Sequence, residues 1–159
     1  MMHSWFECKI RFEKTMENGM VKKVTEPYLV DALSFTEAEA RIIEEVAPFI
    51  SGEYTVSDIK RANFSEVMFA EQEFADRWFK CKLNFITLDE KSGNEKKTST
   101  NVLVQAEDLR DAVKKLDQGM KGSMADYIIS SMAETAIMDV YTYAEQNSNK
   151  SEFHNRKAS

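Results

Sequence analysis

Apolar and polar side chains alternate along two stretches of the chain. In residues 5–12 the residues of one parity are all apolar: Phe6, Cys8, Ile10 and Phe12. Residues 78–85 repeat the arrangement with Phe79, Cys81, Leu83 and Phe85. A period of two is typical of a β-strand that buries one face and leaves the other polar. Each stretch therefore predicts a half-buried strand.

The two strands begin an internal duplication. Trp5–Phe12 and Trp78–Phe85 are identical at five positions, with one conservative exchange. The match continues in the same order through three more pairs of segments: 29–32 with 103–106, 34–38 with 108–112, and 54–59 with 127–132. Collinear self-similarity is the signature of a repeated structural unit. The second copy is therefore predicted to begin at Trp78.

Turn residues predict a hairpin after the first strand of each copy. Asn18-Gly19 and Ser92-Gly93 fall at equivalent places, with one residue of difference in spacing, and such pairs tolerate positive φ. The next segment of each copy has helical periodicity. Ser34 with Glu37 forms a capping box and Asp108 is the N-cap in the second copy. We expect the helices to end near Pro48 and Gly119.

The closing segments, about 53–69 and 125–143, predict long strands that are either central in their sheets or bent by a bulge. A helix over 132–144 is the alternative. The predicted fold class is α+β: two tandem ββαβ units related by a pseudo-twofold axis, each an antiparallel sheet with one helix on its apolar face. The predicted organisation is a first repeat at 1–70, a linker at 71–77, a second repeat at 78–144 and a polar, mobile tail at 145–159.

Composition limits the classes of function. The net charge of −6 and the pI near 5.1 argue against general attraction to DNA or anionic membranes, although a local basic patch is compatible with them. No window reaches the length of a membrane span, and the first residues lack an apolar run, so we expect a cytoplasmic protein that does not enter a membrane.

No catalytic signature is present, so the sequence predicts no catalytic residue, no cofactor and no metal site. His3 and His154 lie outside both copies, and no glycine-rich phosphate loop or nucleophile elbow occurs. Cys8 and Cys81 occupy equivalent inward positions and are interpreted as small buried hydrophobes; the alternative is a thiol pair that binds a ligand. The many carboxylates are interpreted as solvated helix faces, with an acid–base or metal site as the alternative.

The predicted ligand-binding residues lie on the polar face of the first strand of each copy: Trp5, Lys9, Arg11, Trp78, Lys80 and Lys82. An aromatic ring beside cations on a sheet face can stack a base and hold a phosphate, as in sheet-based RNA readers. The alternative is that each tryptophan covers neighbouring structure while the lysines only solvate the face.

The segments His3–Arg11, Glu26–Ala32 and Ser34–Ala40 resemble an uncharacterised family of short proteins, a domain of unknown function (the 4494 family). The similarity covers nearly the whole chain before the tail. What the resemblance implies is a small cytosolic or phage-encoded protein of gut Bacteroidota and their phages; it supplies no activity and no binding residues.

The favoured hypothesis is a non-enzymatic binding protein for a nucleotide, a nucleic acid or a protein partner, serving phage replication or countering host defence. A structural or adaptor protein of a phage particle is one alternative, which a large exposed apolar patch would favour. A small carboxylate-based hydrolase or lyase is the other, which converging carboxylates of raised pKa would favour. Assembly into a homo-oligomer is left open.

Overall fold

A computed structural model describes residues 4–123 and 125–143 of the 159-residue chain. The first copy contributes β1 (Ser4–Thr15), β2 (Val21–Ala32), α1 (Phe35–Val46), β3 (Tyr54–Ala62) and β4 (Glu66–Met68). The second copy contributes β5 (Arg77–Leu88), β6 (Glu95–Ala106), α2 (Leu109–Gly119), β7 (Asp126–Glu134) and β8 (Val140–Tyr141). The α+β class and the two ββαβ units are confirmed. The predicted tail at 145–159 lies outside the described residues.

Each copy begins with a long antiparallel hairpin. β1 pairs with β2 from Ser4 opposite Ala32 to Thr15 opposite Val21, and β5 pairs with β6 in the same way. Both turns contain a glycine at positive φ, 81° at Gly19 and 72° at Gly93. Only glycine adopts this conformation without steric cost, so the predicted turns form for the predicted reason.

Each hairpin carries one helix on its apolar face. Ser34 Oγ accepts the Glu37 N–H at 3.1 Å, and the Glu37 carboxylate accepts the Leu33 N–H at 3.2 Å. In the second copy the Asp108 carboxylate accepts the Asp111 N–H at 2.8 Å. Such caps stabilise a helix by about 1 kcal/mol because they satisfy amides that have no partner within it. The predicted starts of both helices are confirmed.

The buried core of each unit lies between the helix and the apolar face of the hairpin. In the first unit Phe6, Cys8 and Ile10 pack with Ala38 and Ile42 of α1. The second unit repeats this arrangement with four fully buried residues: Cys81, Leu83, Ala112 and Leu116. The alternation in the sequence therefore identifies the buried face correctly in both copies.

The closing strands are not central, which corrects one alternative of the sequence analysis. β3 and β7 each pair only along one side of the hairpin and form sheet edges, in the strand orders β3-β1-β2-β8 and β4-β6-β5-β7. Both carry a bulge, where the pairing shifts between Lys9 and Ile10 and between Lys82 and Leu83. The bulge prediction is confirmed, and the helical alternative is wrong over 132–134 and 140–141, which are strand.

The last short strand of each copy joins the sheet of the other copy's hairpin. β4 follows β3 in the chain but pairs in parallel with β6, placing Val67 opposite Leu103. β8 follows β7 but pairs in parallel with β2, placing Val140 opposite Leu29. Accordingly, one compact unit contains 4–62 and 137–143, and the other contains 63–123 and 125–136. These units divide the chain differently from the two sequence repeats.

Candidate functional site

The predicted site residues lie on the face of each sheet opposite its helix, here called the helix-free face. Trp5, Lys9 and Arg11 alternate along β1 with Phe6, Cys8 and Ile10. The latter three belong to the core on the helix side, so the former three face the other way. Trp78, Lys80 and Lys82 alternate in the same way with Phe79, Cys81 and Leu83. The two sets belong to different compact units.

Two cations on the helix-free face of the first unit, Lys9 and Lys60, have acidic neighbours. Lys9 stands between Pro27 of β2 and Asp58 of β3 in the pairing register. In the next row the Lys60 Nζ lies 3.3 Å from a Glu7 carboxylate oxygen. Alternating charges of this kind largely cancel at a distance, so the face has little net attraction for an anion.

Trp5 is half-buried, and its neighbours in the pairing register are Asp31 and Ala62. Its ring is thus flanked on β2 by a carboxylate and not by a cation. Arg11 is exposed and lies in register with Thr25 and Thr55. The aromatic ring and the arginine of this set therefore stand in different rows of the sheet.

Trp78 is buried against neighbouring structure, which is the alternative that the sequence analysis gave for the tryptophans. Only 1% of its surface is exposed, and its ring meets the ring of Phe69 edge-on at 5.4 Å. Thr135 donates both its backbone N–H and its hydroxyl to the Trp78 carbonyl, at 2.8 and 2.9 Å. Trp78 therefore has no open ring face for a base, and its replacement by Ala would truncate a core residue.

The helix-free face of the second unit is cationic. Lys80 and Lys82 are exposed, and Lys82 stands in register between Asn101 of β6 and Ser131 of β7. In the following row the Ser99 hydroxyl donates to the Asn84 side-chain oxygen at 2.8 Å. We call this set the cationic strip: Lys80, Lys82, Asn84, Ser99, Asn101 and Ser131. Its three rows contain no carboxylate.

The difference between the two faces was missed by the sequence analysis, which treated the copies as equivalent. A signal is present in the sequence: Glu7 of β1 corresponds to Lys80 of β5, and Asp58 of β3, which pairs with Lys9, corresponds to Ser131 of β7, which pairs with Lys82. The charge around a strand lysine depends on the residues opposite it in the neighbouring strands. Comparison of β1 with β5 and of β3 with β7 would therefore have singled out the second unit.

Both cysteines are free and fully buried, as predicted. Burial raises the pKa of the Cys8 thiol to about 12, with a further contribution from the nearby carboxylates of Glu7 and Asp58. Burial also raises the pKa of the Cys81 thiol to about 11. Thiols of such high pKa are poor nucleophiles because the thiolate is the reactive species.

We expect neither thiol to react with iodoacetamide in the native protein at pH 8, whereas both react in urea; mass spectrometry after timed labelling measures this.

The raised pKa values also give a pH dependence. Unfolded thiols ionise near pH 9, whereas the folded thiols stay neutral, so their contribution to stability is complete below pH 9 and falls as pH rises toward 11 to 12. The Cys8→Ala, Cys81→Ala variant should lose this part of the alkaline slope. Rapid native labelling would contradict the buried placement.

Several other features bear on the chemistry of the chain. Among residues 4–123 and 125–143 no group of three or more His, Cys, Asp or Glu side chains is arranged to hold a metal ion. His3 and His154 lie outside the described residues. No described helix is long and apolar enough to cross a membrane.

Comparison with known proteins gives one family. The model of a family described as "Domain of unknown function (DUF4494)" matches residues 4–143, which include every described strand and helix. No curated protein matches the sequence. The resemblance noted from the first copy therefore extends over both copies.

Proposed function

The chain belongs to the DUF4494 family, and we propose that it is a non-catalytic binding protein whose cationic strip takes single-stranded nucleic acid. The observation that supports this proposal is a set of three adjacent rows on one sheet face that carry Lys80 and Lys82 and no carboxylate, on a protein of net charge −6. Because the protein as a whole is negatively charged, it repels phosphate, so a phosphate-bearing ligand needs a local basic patch to bind. The cationic strip is such a patch. The setting that we propose is the bacterial cytoplasm, in a phage-related process.

The strip offers two kinds of group that can contact a single strand. Lys80 and Lys82 project from the same face of β5, about 7 Å apart along the strand, and can follow a phosphate backbone. The amide of Asn101 and the hydroxyl of Ser131 flank Lys82 and can hydrogen-bond sugars or base edges. The β-sheet fixes these groups on a rigid support, which lowers the entropy lost on binding.

The test is fluorescence anisotropy with a labelled oligo(dT) of about 15 nucleotides, a length within the range of sheet-based single-strand sites. Replacing Lys80 and Lys82 together with Gln should weaken binding at least tenfold at about 50 mM salt and reduce the salt slope by about 1.4. The matched control replaces Lys22 and Lys23 with Gln; these exposed lysines of β2 lie outside the strip, and their loss should have little effect.

Two results would overturn the proposal. One is failure of the native protein to bind the oligonucleotide at low salt. The other is equal binding by the strip variant and the control variant. Binding of an acidic peptide in place of the oligonucleotide, lost in the strip variant, would assign the strip to a protein partner.

One observation favours an adaptor role as the second candidate. The tip of the first hairpin exposes three apolar residues: Met16 at 41%, Met20 at 67% and Val21 at 60%. Apolar side chains clustered at an exposed tip are typical of protein contacts. If a variant with Met20→Ser and Val21→Ser binds the oligonucleotide as the native protein does, this apolar surface is distinct from the strip.

A further inference from the structure

A cavity of about 350 Å³ lies in the second unit, between α2, the end of β6 and the segment that follows β4. Phe69 and Ala70 form one wall, and Lys115 and Gln118 of α2 form another. Gln105 of β6 also lines the cavity, and its Oε1 accepts the Ala70 N–H at 2.9 Å. This volume is at the small end of the range for ligand sites, about 300–1,000 Å³.

The equivalent place in the first unit is filled by the chain's own aromatic ring. There the guanidinium of Arg41 lies 4.2 Å from the centroid of the Tyr143 ring. Arg41 is only 5% exposed, and within the described residues none of its three guanidinium nitrogens makes a hydrogen bond. The Arg41 cation is thus buried against the ring; burial lowers its pKa, and the carboxylates of Asp31 and Glu45 lie near enough to raise it against that lowering.

The duplication fixes which residues correspond. Val140 and Tyr141 pair with Leu29 and Val30 as Val67 and Met68 pair with Leu103 and Val104. Tyr143 lies as far beyond Tyr141 as Ala70 lies beyond Met68, so Ala70 takes the place of the aromatic residue.

The cation has a counterpart as well. Lys115 follows the N-cap Asp108 at the same distance as Arg41 follows Ser34. The second unit therefore keeps the cation and lacks the ring.

We propose that this cavity binds a planar aromatic ring supplied by a ligand, in the position that Tyr143 fills in the first unit. Lys115 supplies the cation for the ring face, and Phe69 supplies an apolar wall. Because Gln105 Oε1 is bonded to the Ala70 N–H, its side-chain NH₂ remains the donor for an acceptor on the ring edge.

Charge selects a neutral ring over a phosphate. Lys115 already forms an ion pair with Asp111 at 2.9 Å, and Glu71 also lines the cavity. A ring with a hydrogen-bonding edge, either a nucleobase or a phenol, fits this balance. The inference does not rest on the cationic strip, since no strip residue lines the cavity.

The experiment follows the ¹H–¹⁵N spectrum of the full chain during separate titrations with adenosine and with p-cresol. We expect saturable shifts at the Ala70 amide and at the side-chain amides of Gln105 and Gln118, with a dissociation constant of about 1 mM or below for one probe. A response to adenosine identifies a nucleobase site, and a response to p-cresol identifies a phenol site.

Ala70→Tyr restores the ring of the first unit and should abolish these shifts. Ala40→Tyr makes the same change at an exposed position of α1 and should leave binding unchanged. Lys115→Gln keeps the cavity and should weaken binding about three- to tenfold. The proposal fails if neither probe shifts these amides, or if Lys115→Gln and a folded Ala70→Tyr variant both bind as the native protein does. Variants of Lys80 and Lys82 should leave this titration unchanged, so the two proposals can fail separately.

Discussion

Replacing Val140 with Asp should lower the free energy of unfolding by about 3 kcal/mol or more and disrupt the first unit. Val140 is fully buried, although it belongs to a strand of only two residues at the end of the described chain. It pairs with Leu29, which is also fully buried. A carboxylate at this position would be buried without a partner cation, which is among the most destabilising of single changes. Urea denaturation followed by near-ultraviolet circular dichroism measures the loss.

Met138→Asp is the matched control for this prediction. Met138 lies two positions earlier in the same segment, its side chain is 48% exposed, and its backbone N–H donates to the Pro27 carbonyl at 2.8 Å. The same charge placed there stays in solvent and keeps the backbone bond, so the expected change is within about 0.5 kcal/mol. Equal midpoints for the two variants would mean that β8 does not hold the first sheet together.

Ile42→Ala and Leu116→Ala should each lower the free energy of unfolding by about 2–5 kcal/mol. The two residues occupy equivalent positions on α1 and α2, and both are fully buried against the apolar face of a sheet. Truncation removes the transfer free energy of the lost methyl and methylene groups and leaves a cavity that close-packed neighbours only partly fill. Chemical denaturation of the two single variants and of the native chain measures both effects.

Ile43→Ala controls for the change of residue type and for helix propensity. Ile43 follows Ile42 on α1, but 39% of its surface is exposed. Alanine favours a helix more than isoleucine does, so we expect a change below about 1 kcal/mol. If Ile43→Ala cost as much as Ile42→Ala, the buried stripe of α1 would be assigned to the wrong face.

The sequence alone determined the features that depend on local patterns. Alternation along β1 and β5 is enough to separate the helix side from the helix-free side, because successive strand residues point to opposite faces. Gly19 and Gly93 fix the hairpin turns because the backbone there has positive φ. Ser34 and Asp108 fix the helix starts because their side chains accept amides within the first turn.

Only the tertiary structure decided how each predicted site residue is surrounded. Parity puts Trp78 on the helix-free face, but packing against Phe69 makes it a covered residue. Lys9 and Lys82 are equivalent in sequence, yet Asp58 stands beside the first and Ser131 beside the second. These neighbours come from strands distant in the chain, so the pairing register fixes them and local periodicity does not.

The closing strands illustrate the same division. Their composition predicts one long strand in each copy, whereas the structure has two: β3 and β4 in the first copy, and β7 and β8 in the second. Which sheet they join depends on long-range pairing: β4 and β8 are too short to form a sheet alone and are stabilised by the parallel edge of β6 or β2. Because Val67 and Val140 are apolar, they favour packing against another strand. Their apolar character does not determine which hairpin they pack against. The hairpin that each short strand joins is decided by the free energy of the complete fold. No local segment of the sequence specifies this pairing.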